Sequence, residues 1–247
     1  MKIENYKKTK NGKYKVSFSN GKTIDLYEEV ILKYELLLKT EITSKIILDV
    51  TSNNEECEVY YQALKMIKTK SRTIKETEDT LIKKEYPLPF IKLAITKLVS
   101  QKYLDDEFYS KAYTNQGINS SKGPYKIMNE LEKKGVSKEL ISNALNDYTD
   151  ELQLQIVTKK IKKMIESNHT KSNLILQKKI MTDLINQGFS KEIILSVLND
   201  QEMKDDSDII KKEYQKLYNK LSKKYEGKEL EYKIKQKMYQ KGMSYDI

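Results

Sequence analysis

One short helix-turn-helix motif occurs three times in this chain, and the copies lie about fifty residues apart. They begin at Gly135, Gly188 and Gly242, and each continues with an apolar residue and a serine. A glycine just past a helix adopts the left-handed backbone conformation without a Cβ penalty, and the serine caps the next helix. Each copy also follows an amphipathic helical segment. The pattern therefore predicts tandem helical repeats.

A fourth, divergent copy lies upstream. Thr73 to Glu76 read as a capping box, and Glu85 stands where the glycine would be. Pro87 and Pro89 are predicted to force the turn that glycine permits elsewhere. The positions that define the repeat are Asp105, Asp106, Gly123, Leu131, Gly135, Ser137, Leu184, Gly188, Ser190, Gly242 and Ser244.

Each copy has a leading helix in front of it, so that every repeat contains three helices. The predicted leading helices cover residues 55–67, 106–115, 152–167 and 209–225. The predicted repeats are then residues 54–103, 104–149, 150–204 and 205–247. The last one stops in mid-motif at Ile247, which suggests a final unit that is either shortened or cut off.

Residues 1–53 follow a different pattern. Tyr14, Val16 and Phe18 alternate with polar residues, which is the period of a half-buried strand. Asn-Gly pairs flank this segment, and Asn-Gly is a strong hairpin signal. We expect a three-stranded meander over residues 2–27 and a helix over 28–38 that covers it.

The predicted fold is therefore mainly α, an elongated and curved array of three-helix repeats behind a small β-meander and helix. A charged fraction of 33% and only three prolines agree with solvated helices. No apolar segment is long enough to span a membrane, and residues 1–10 do not resemble a signal peptide. We expect a cytoplasmic protein without a membrane association.

The net charge of +10 predicts an affinity for polyanions. Nearly all of the positive charge is lysine, which contacts phosphate as a point charge, whereas base-specific readout favours arginine. Solvated helix faces in a lysine-rich composition are the alternative explanation. The candidate contact residues are Lys159, Lys160, Lys162, Lys163, Lys178, Lys179, Lys211, Lys212 and Arg72.

No catalytic, cofactor-binding or metal-binding pattern is apparent. His169 lies in a polar connection, and Cys57 has no histidine near it in the sequence. Consecutive acids at 105–107 cannot share one helix face, so we interpret them as caps of the following helix. A phosphate-binding glycine loop is not found. An enzyme is not expected.

Several short segments in the middle of the chain form one pattern: Tyr103–Tyr109, Gly123-Pro124 with Ile127, and Glu130–Val136. This pattern resembles the central signature of the RecX family, regulators of the RecA recombinase. Upstream, Ala63-Leu64, Ser71-Arg72 and the segment 78–81 resemble the first repeat of that family. The front meander and the additional repeat are similar to the longer form common in low-GC Gram-positive bacteria. Glu85 and the early end at Ile247 depart from the family pattern.

The resemblance implies a non-enzymatic modulator that binds the filament of RecA on single-stranded DNA along its groove. It further implies suppression of ATP hydrolysis, strand exchange and co-protease activity. We expect a monomer whose partners are RecA and single-stranded DNA, without sequence specificity. Two alternatives remain: a general single-stranded nucleic-acid-binding protein without a dedicated RecA partner, and an interaction scaffold whose charge only solvates it.

Overall fold

The computed structural model describes residues 1–243, so the predicted cap Ser244 lies outside the described part. The chain forms two compact units. The first contains residues 1–109 and 134–137, and the second contains residues 110–133 and those from 138 onward.

The first unit begins with the predicted meander. Strands β1 (Ile3–Lys8), β2 (Tyr14–Phe18) and β3 (Thr23–Leu26) form an antiparallel sheet in the order β1-β2-β3. Gly12 and Gly21, both at φ +78°, provide the two left-handed turns. Val16, Phe18 and Leu26 are buried on one face of the sheet. The prediction of the meander is confirmed.

The prediction of one helix over residues 28–38 is correct for residues 28–33 and wrong for the rest. Helix α1 covers Glu28–Lys33, Glu35 adopts φ 51°, and a separate 3-10 turn follows at Leu36–Leu38. Leu36 is buried beside Val30 and Ile31, whereas Leu38 is 82% exposed. The left-handed residue rotates Leu36 into the core, where its carbonyl accepts a hydrogen bond from Tyr6 Oη at 2.8 Å.

Helix α2 (Ser44–Thr69) is longer than predicted, and its buried residues belong to two separate hydrophobic cores. Val50 and Cys57 pack with the sheet, whereas Val59 and Ala63 pack with α3 (Ile74–Lys83) and α4 (Leu88–Ser100). The expected helix start near residue 55 is wrong. The polar residues there are helical because Asn54 accepts from Tyr27 N at 2.9 Å and donates to Asp25 O at 3.1 Å, which ties the helix to the end of the sheet.

Helix α5 (Asp106–Asn119) begins in the first unit and continues in the second. The helices that follow are α6 (Pro124–Lys133), α7 (Lys138–Leu145), α8 (Asp150–Glu166), α9 (Asn173–Asn186), α10 (Lys191–Asn199), α11 (Ser207–Leu221) and α12 (Gly227–Gln240). Helices α8, α9 and α10 pack together, and α11 packs on α12. The prediction of a mainly α fold with a small β-meander is confirmed.

The three repeat glycines end their helices as predicted, at φ 82°, 90° and 60° for Gly135, Gly188 and Gly242. Ser190 caps α10 and accepts from Ile193 N at 3.2 Å. The prediction for the divergent copy was wrong in mechanism, because Glu85 itself adopts φ 63°. The N–H of the following residue, Tyr86, donates to Leu81 O at 3.3 Å, so that the turn bonds back to the helix that it ends.

Replacing Glu85 by glycine is therefore expected to stabilise the protein. A left-handed non-glycine residue costs about 1–2 kcal/mol, part of which the entropy of glycine in the unfolded chain offsets. We expect Glu85→Gly to raise the free energy of unfolding by about 0.5–1 kcal/mol in urea denaturation. The matched control is Lys84→Gly, at φ −88°, which should lower stability. A loss of stability in Glu85→Gly would contradict the turn geometry.

Successive repeats are joined at one equivalent backbone position. Thr73 Oγ1 donates to Lys134 O at 2.7 Å, Gly123 N donates to Gln187 O at 2.7 Å, and Ser172 Oγ donates to Lys241 O at 3.1 Å. Each acceptor residue directly precedes a repeat glycine, and each donor residue directly precedes a helix. One free backbone carbonyl at the end of each of these helices thus accepts a hydrogen bond from the preceding repeat.

An aspartate takes the first free N–H of two of these helices. Asp106 Oδ1 accepts from Ile74 N at 3.0 Å, and Asp206 Oδ2 accepts from Asn173 N at 2.7 Å. The first residue of α6 is Pro124, which has no N–H to satisfy. Burial raises the pKa of the Asp106 carboxyl. The interpretation of Asp106 as a cap of its own helix is therefore corrected: its carboxylate reaches the start of α3.

Candidate nucleic-acid interface

The predicted lysines on α8 lie on one exposed face of the helix. Lys159, Lys162 and Lys163 are exposed, and Ile161 between them is fully buried. These lysines line a shallow groove together with Glu151, Leu154, Gln155, Thr158 and Glu166. Lys159, Lys162 and Lys163 all lie in the C-terminal half of α8, and Glu151 and Glu166 lie near its two ends. In the described part of the chain, none of the three lysines forms an ion pair.

Lys160 does not belong to this face. It is half-buried, and its Nζ donates to Gln187 Oε1 at 2.6 Å. Burial lowers the pKa of the Lys160 ammonium. Because the backbone carbonyl of Gln187 accepts from Gly123 N, the bond from Lys160 to the Gln187 side chain supports a junction between repeats. We therefore remove it from the set of proposed contact residues.

The two predicted lysines on α9, Lys178 and Lys179, are exposed but have different neighbours. Lys179 Nζ lies 2.5 Å from Asp183 Oδ2, one helical turn away. Lys178 lines a pocket of about 300 Å³ with Leu174, Ile175, Tyr239, Gln240, Gly242 and Met243. On α11, Lys211 and Lys212 are both exposed. The α8 face therefore contains the densest group of predicted lysines without ion pairs.

Arg72 lies in a second pocket, within the first unit. This pocket has a volume of about 400 Å³ and is lined by Ser71, Arg72, Lys102, Tyr103, Asp105, Phe108 and Tyr109. Arg72 Nε is buried, and no acceptor among residues 1–243 reaches it. Phe108 is 72% exposed and Tyr103 is 51% exposed. The pocket thus combines a guanidinium group with two accessible aromatic rings.

Local structure holds this pocket open between α4 and α5. Lys102 adopts φ 60° just after α4, and Leu104 is buried and anchors the connection. Asp105 Oδ1 accepts from Phe108 N at 3.0 Å, and its Oδ2 lies 3.3 Å from Lys102 Nζ. The hydrogen bond from the Phe108 N–H lowers the pKa of the Asp105 carboxyl, so this group is ionised at neutral pH. The interpretation of Asp105 as a helix cap agrees with this geometry.

The other reactive side chains lie apart from these two surfaces. Cys57 is buried, and burial raises the pKa of its thiol to about 11, so that little thiolate forms at neutral pH. His169 is exposed in the connection between α8 and α9. Within residues 1–243, no group of three or more His, Cys, Asp or Glu side chains is placed to hold a metal ion.

None of the helices described, over residues 1–243, is long and apolar enough to span a membrane.

Comparison with known proteins identifies the family. The model for the second three-helix domain of RecX matches residues 105–145. A regulatory protein RecX from Bacillus cytotoxicus is 33% identical over 254 aligned positions, which cover 99% of this chain and 93% of that protein. The chain belongs to the RecX family. A regulatory protein RecX from Listeria welshimeri is 30% identical over 239 positions, covering 95% of this chain and 88% of that protein.

A solved structure supports the same assignment. The crystal structure of a regulatory protein RecX superposes with a TM-score of 0.70 at 25% identity, covering 81% of this chain and 99% of that one. The resemblance noted in the sequence is thereby confirmed. These relatives are named regulatory proteins. The domain match starts at Asp105, inside the pocket that contains Arg72.

The sequence interpretation found Arg72 but missed its aromatic neighbours. In the sequence, Tyr103 and Phe108 belong to the stretch 103–109 that resembles the RecX signature, and nothing in the sequence connects this stretch to residues 71–72. They meet in one pocket because α3 and α4 bring the end of α2 beside the start of α5. One signal was available in the sequence: Phe108 follows directly on three acids at a helix start, where an apolar side chain has no predicted core contact.

Proposed function

We propose that this RecX-family chain regulates RecA in the cytoplasm, binding the RecA filament on single-stranded DNA as a monomer and lowering its activity. The proposal rests mainly on family membership, because full-length relatives are named regulatory proteins RecX. The suppressed activities are ATP hydrolysis, strand exchange and co-protease function. The chain supplies no chemistry of its own in this scheme and acts only by binding.

The exposed lysines support the proposal on the DNA side. Lys159, Lys162 and Lys163 are unpaired by acids in the described structure and are free to contact phosphates. Lys178, Lys179, Lys211 and Lys212 remain secondary candidates. A ligand favours the filament state for which it has the higher affinity, and it shifts the equilibrium by that difference. A repeat protein that contacts adjacent RecA subunits can therefore hold several of them in an inactive state.

We expect this protein to lower the single-stranded-DNA-dependent ATPase of RecA at less than one copy per RecA subunit. The measurement is the steady-state rate of ATP hydrolysis on DNA already coated with RecA, with this chain added in increasing amounts. The control is an unrelated ATPase that also requires single-stranded DNA, whose rate should stay unchanged. Inhibition of both enzymes only at amounts that coat the DNA would contradict a dedicated RecA regulator.

The second candidate function is general binding of single-stranded nucleic acid. The net charge of +10 and the Arg72 pocket favour it. It predicts that this protein competes with any single-strand-dependent enzyme, and that its effect falls steeply with rising salt because phosphate contacts weaken with salt. The ATPase control described above separates the two candidates.

A further inference from the structure

The Arg72 pocket contains two kinds of group that together fit a nucleotide. Arg72 and Lys102 provide positive charge, whereas Phe108 and Tyr103 provide accessible ring faces. The α8 groove offers lysines without an aromatic ring, and it therefore fits phosphate alone. The presence of both kinds of group in one concave site distinguishes the pocket from a solvated charged surface.

Arg72 forms no ion pair among residues 1–243, and its buried Nε has no acceptor there. Arginine stays protonated in proteins, and a buried N–H without a partner costs about 1–3 kcal/mol. Among residues 1–243, Asp105 is the only acidic side chain that lines the pocket. Its two oxygens already engage the Phe108 N–H and Lys102 Nζ. A phosphodiester in the pocket supplies the negative charge that the guanidinium lacks, and because Nε has no accessible surface, the contact falls to the terminal amino groups.

The two rings are not required for the core. Leu104 is 1% exposed and belongs to the hydrophobic cluster of the first unit, while Tyr103 beside it points outward and is half exposed. Phe108 is even more exposed, although it is the less polar residue of the two. Exposed rings beside cations are typical of surfaces on which successive bases of a single strand stack.

We infer that the Arg72 pocket binds a nucleotide of single-stranded DNA, with the phosphate at Arg72 and Lys102 and the base against Phe108 or Tyr103. The inference rests on the proposed function for its ligand, the DNA of the RecA filament. Binding is independent of base sequence, because every base presents a stacking face. Duplex DNA is a poor ligand for this pocket, since its bases are stacked on one another and closed to the rings.

The test measures the affinity of the full chain for fluorescein-labelled oligo(dT) by anisotropy, without RecA, over a series of salt concentrations. We expect Phe108→Ala to weaken binding about tenfold, within the range for loss of one stacked base. The salt slope, that is the slope of log affinity against log salt concentration, should stay unchanged. Arg72→Gln should weaken binding and reduce the slope by about 0.7, the value for one phosphate contact on a single strand. Tyr232→Ala removes a ring that is 65% exposed on α12 and should bind as the unmodified protein does.

A second measurement does not depend on the folding of any variant. Oligonucleotides that contain 5-bromodeoxyuridine are cross-linked to the unmodified chain by ultraviolet light, and the modified peptide is identified by mass spectrometry. We expect cross-links at Phe108 or Tyr103. Cross-links only at α8 or α12 would overturn the inference.

Two further results separate this inference from the proposed function. If Phe108→Ala binds oligo(dT) normally but binds the RecA filament more weakly, the occupant of the pocket is a protein segment and the inference is wrong. If the unmodified chain fails to inhibit RecA while Phe108→Ala still loses affinity for oligo(dT), the pocket inference stands and the proposed function fails.

Discussion

Gly188→Ala is expected to destabilise the protein by about 2–5 kcal/mol, the sum of left-handed strain and of overpacking against a neighbouring backbone. Gly188 adopts φ 90°, where a side chain is strained. An added Cβ would also lie 2.3 Å from Lys126 N and 2.5 Å from Lys126 Cβ. Because total stabilities are about 5–15 kcal/mol, a loss of this size threatens the fold.

The contact is severe because it involves the main chain of α6. Gly188 O accepts from Tyr125 N at 3.1 Å, and the preceding carbonyl accepts from Gly123 N at 2.7 Å. Moving α6 away from the new methyl group would break both of these hydrogen bonds. The loss should appear in urea denaturation followed by circular dichroism as a lower midpoint of unfolding.

Three other glycines separate strain from collision. Gly12→Ala has φ +78° and no atom within 4 Å of its Cβ, so it tests left-handed strain alone, about 1–2 kcal/mol. Gly123→Ala has no positive φ, but its Cβ would lie 2.1 Å from Gly188 C, so it tests collision alone. Gly135→Ala should fall between Gly12→Ala and Gly188→Ala, because the three atoms nearest its Cβ belong to the side chain of Lys75 and none to the main chain. If Gly188→Ala costs no more than Gly12→Ala, α6 does not approach Gly188 as described.

The features predicted from the sequence are those that depend on local chemistry. A glycine after an amphipathic helix permits a left-handed turn wherever it occurs, and Gly188 and Gly242 adopt that turn. The burial of Ile180 and Leu184 follows from helical periodicity in the same way. Asn-Gly at the ends of β2 predicted both hairpins because these turns require positive φ.

The features that were missed depend on residues far apart in the sequence. Asp106 has the sequence context of a helix cap, yet it accepts from Ile74 N, 32 residues away. Glu85 is a local exception: it adopts φ 63°, which its own propensity disfavours, because Tyr86 N donates back to Leu81 O at the end of the same helix and fixes the turn. The predicted helix start near residue 55 was wrong, because α2 begins at Ser44 and Asn54 within it binds the backbone of β3 and its neighbour.

The candidate contact surface shows the same limit. Periodicity correctly placed Lys162 and Lys163 opposite the buried Ile161. It could not show that Lys160 turns toward Gln187, since that residue lies on another helix. The pocket at Arg72 forms where the connection after α2 meets the connection between α4 and α5, which brings together residues that are about thirty positions apart in the sequence. Charge patterning alone therefore identified lysines but not the aromatic rings.

Charge reversal of Lys159, Lys162 and Lys163 together to glutamate is expected to weaken binding to single-stranded DNA roughly tenfold to hundredfold at low salt. Each lysine that contacts a phosphate releases a counterion. For single strands, the logarithm of the affinity falls linearly with the logarithm of the salt concentration, and each contact adds about 0.7 to this slope. Losing three contacts should therefore reduce the salt slope by about 2. Anisotropy with labelled oligo(dT) between 0.05 and 0.2 M salt, about the range over which such contacts weaken, measures both quantities.

The fold should tolerate these three changes, because all three side chains are exposed and none forms an ion pair within the described residues. The matched control reverses Lys228, Lys235 and Lys237, exposed lysines of α12, and changes the net charge by the same amount. A general effect of net charge would weaken binding equally in both variants. Binding that falls only in the α8 variant assigns the contact to this face, and inhibition of the RecA ATPase should fall with it. Unchanged binding in the α8 variant would show that Lys159, Lys162 and Lys163 only solvate the helix.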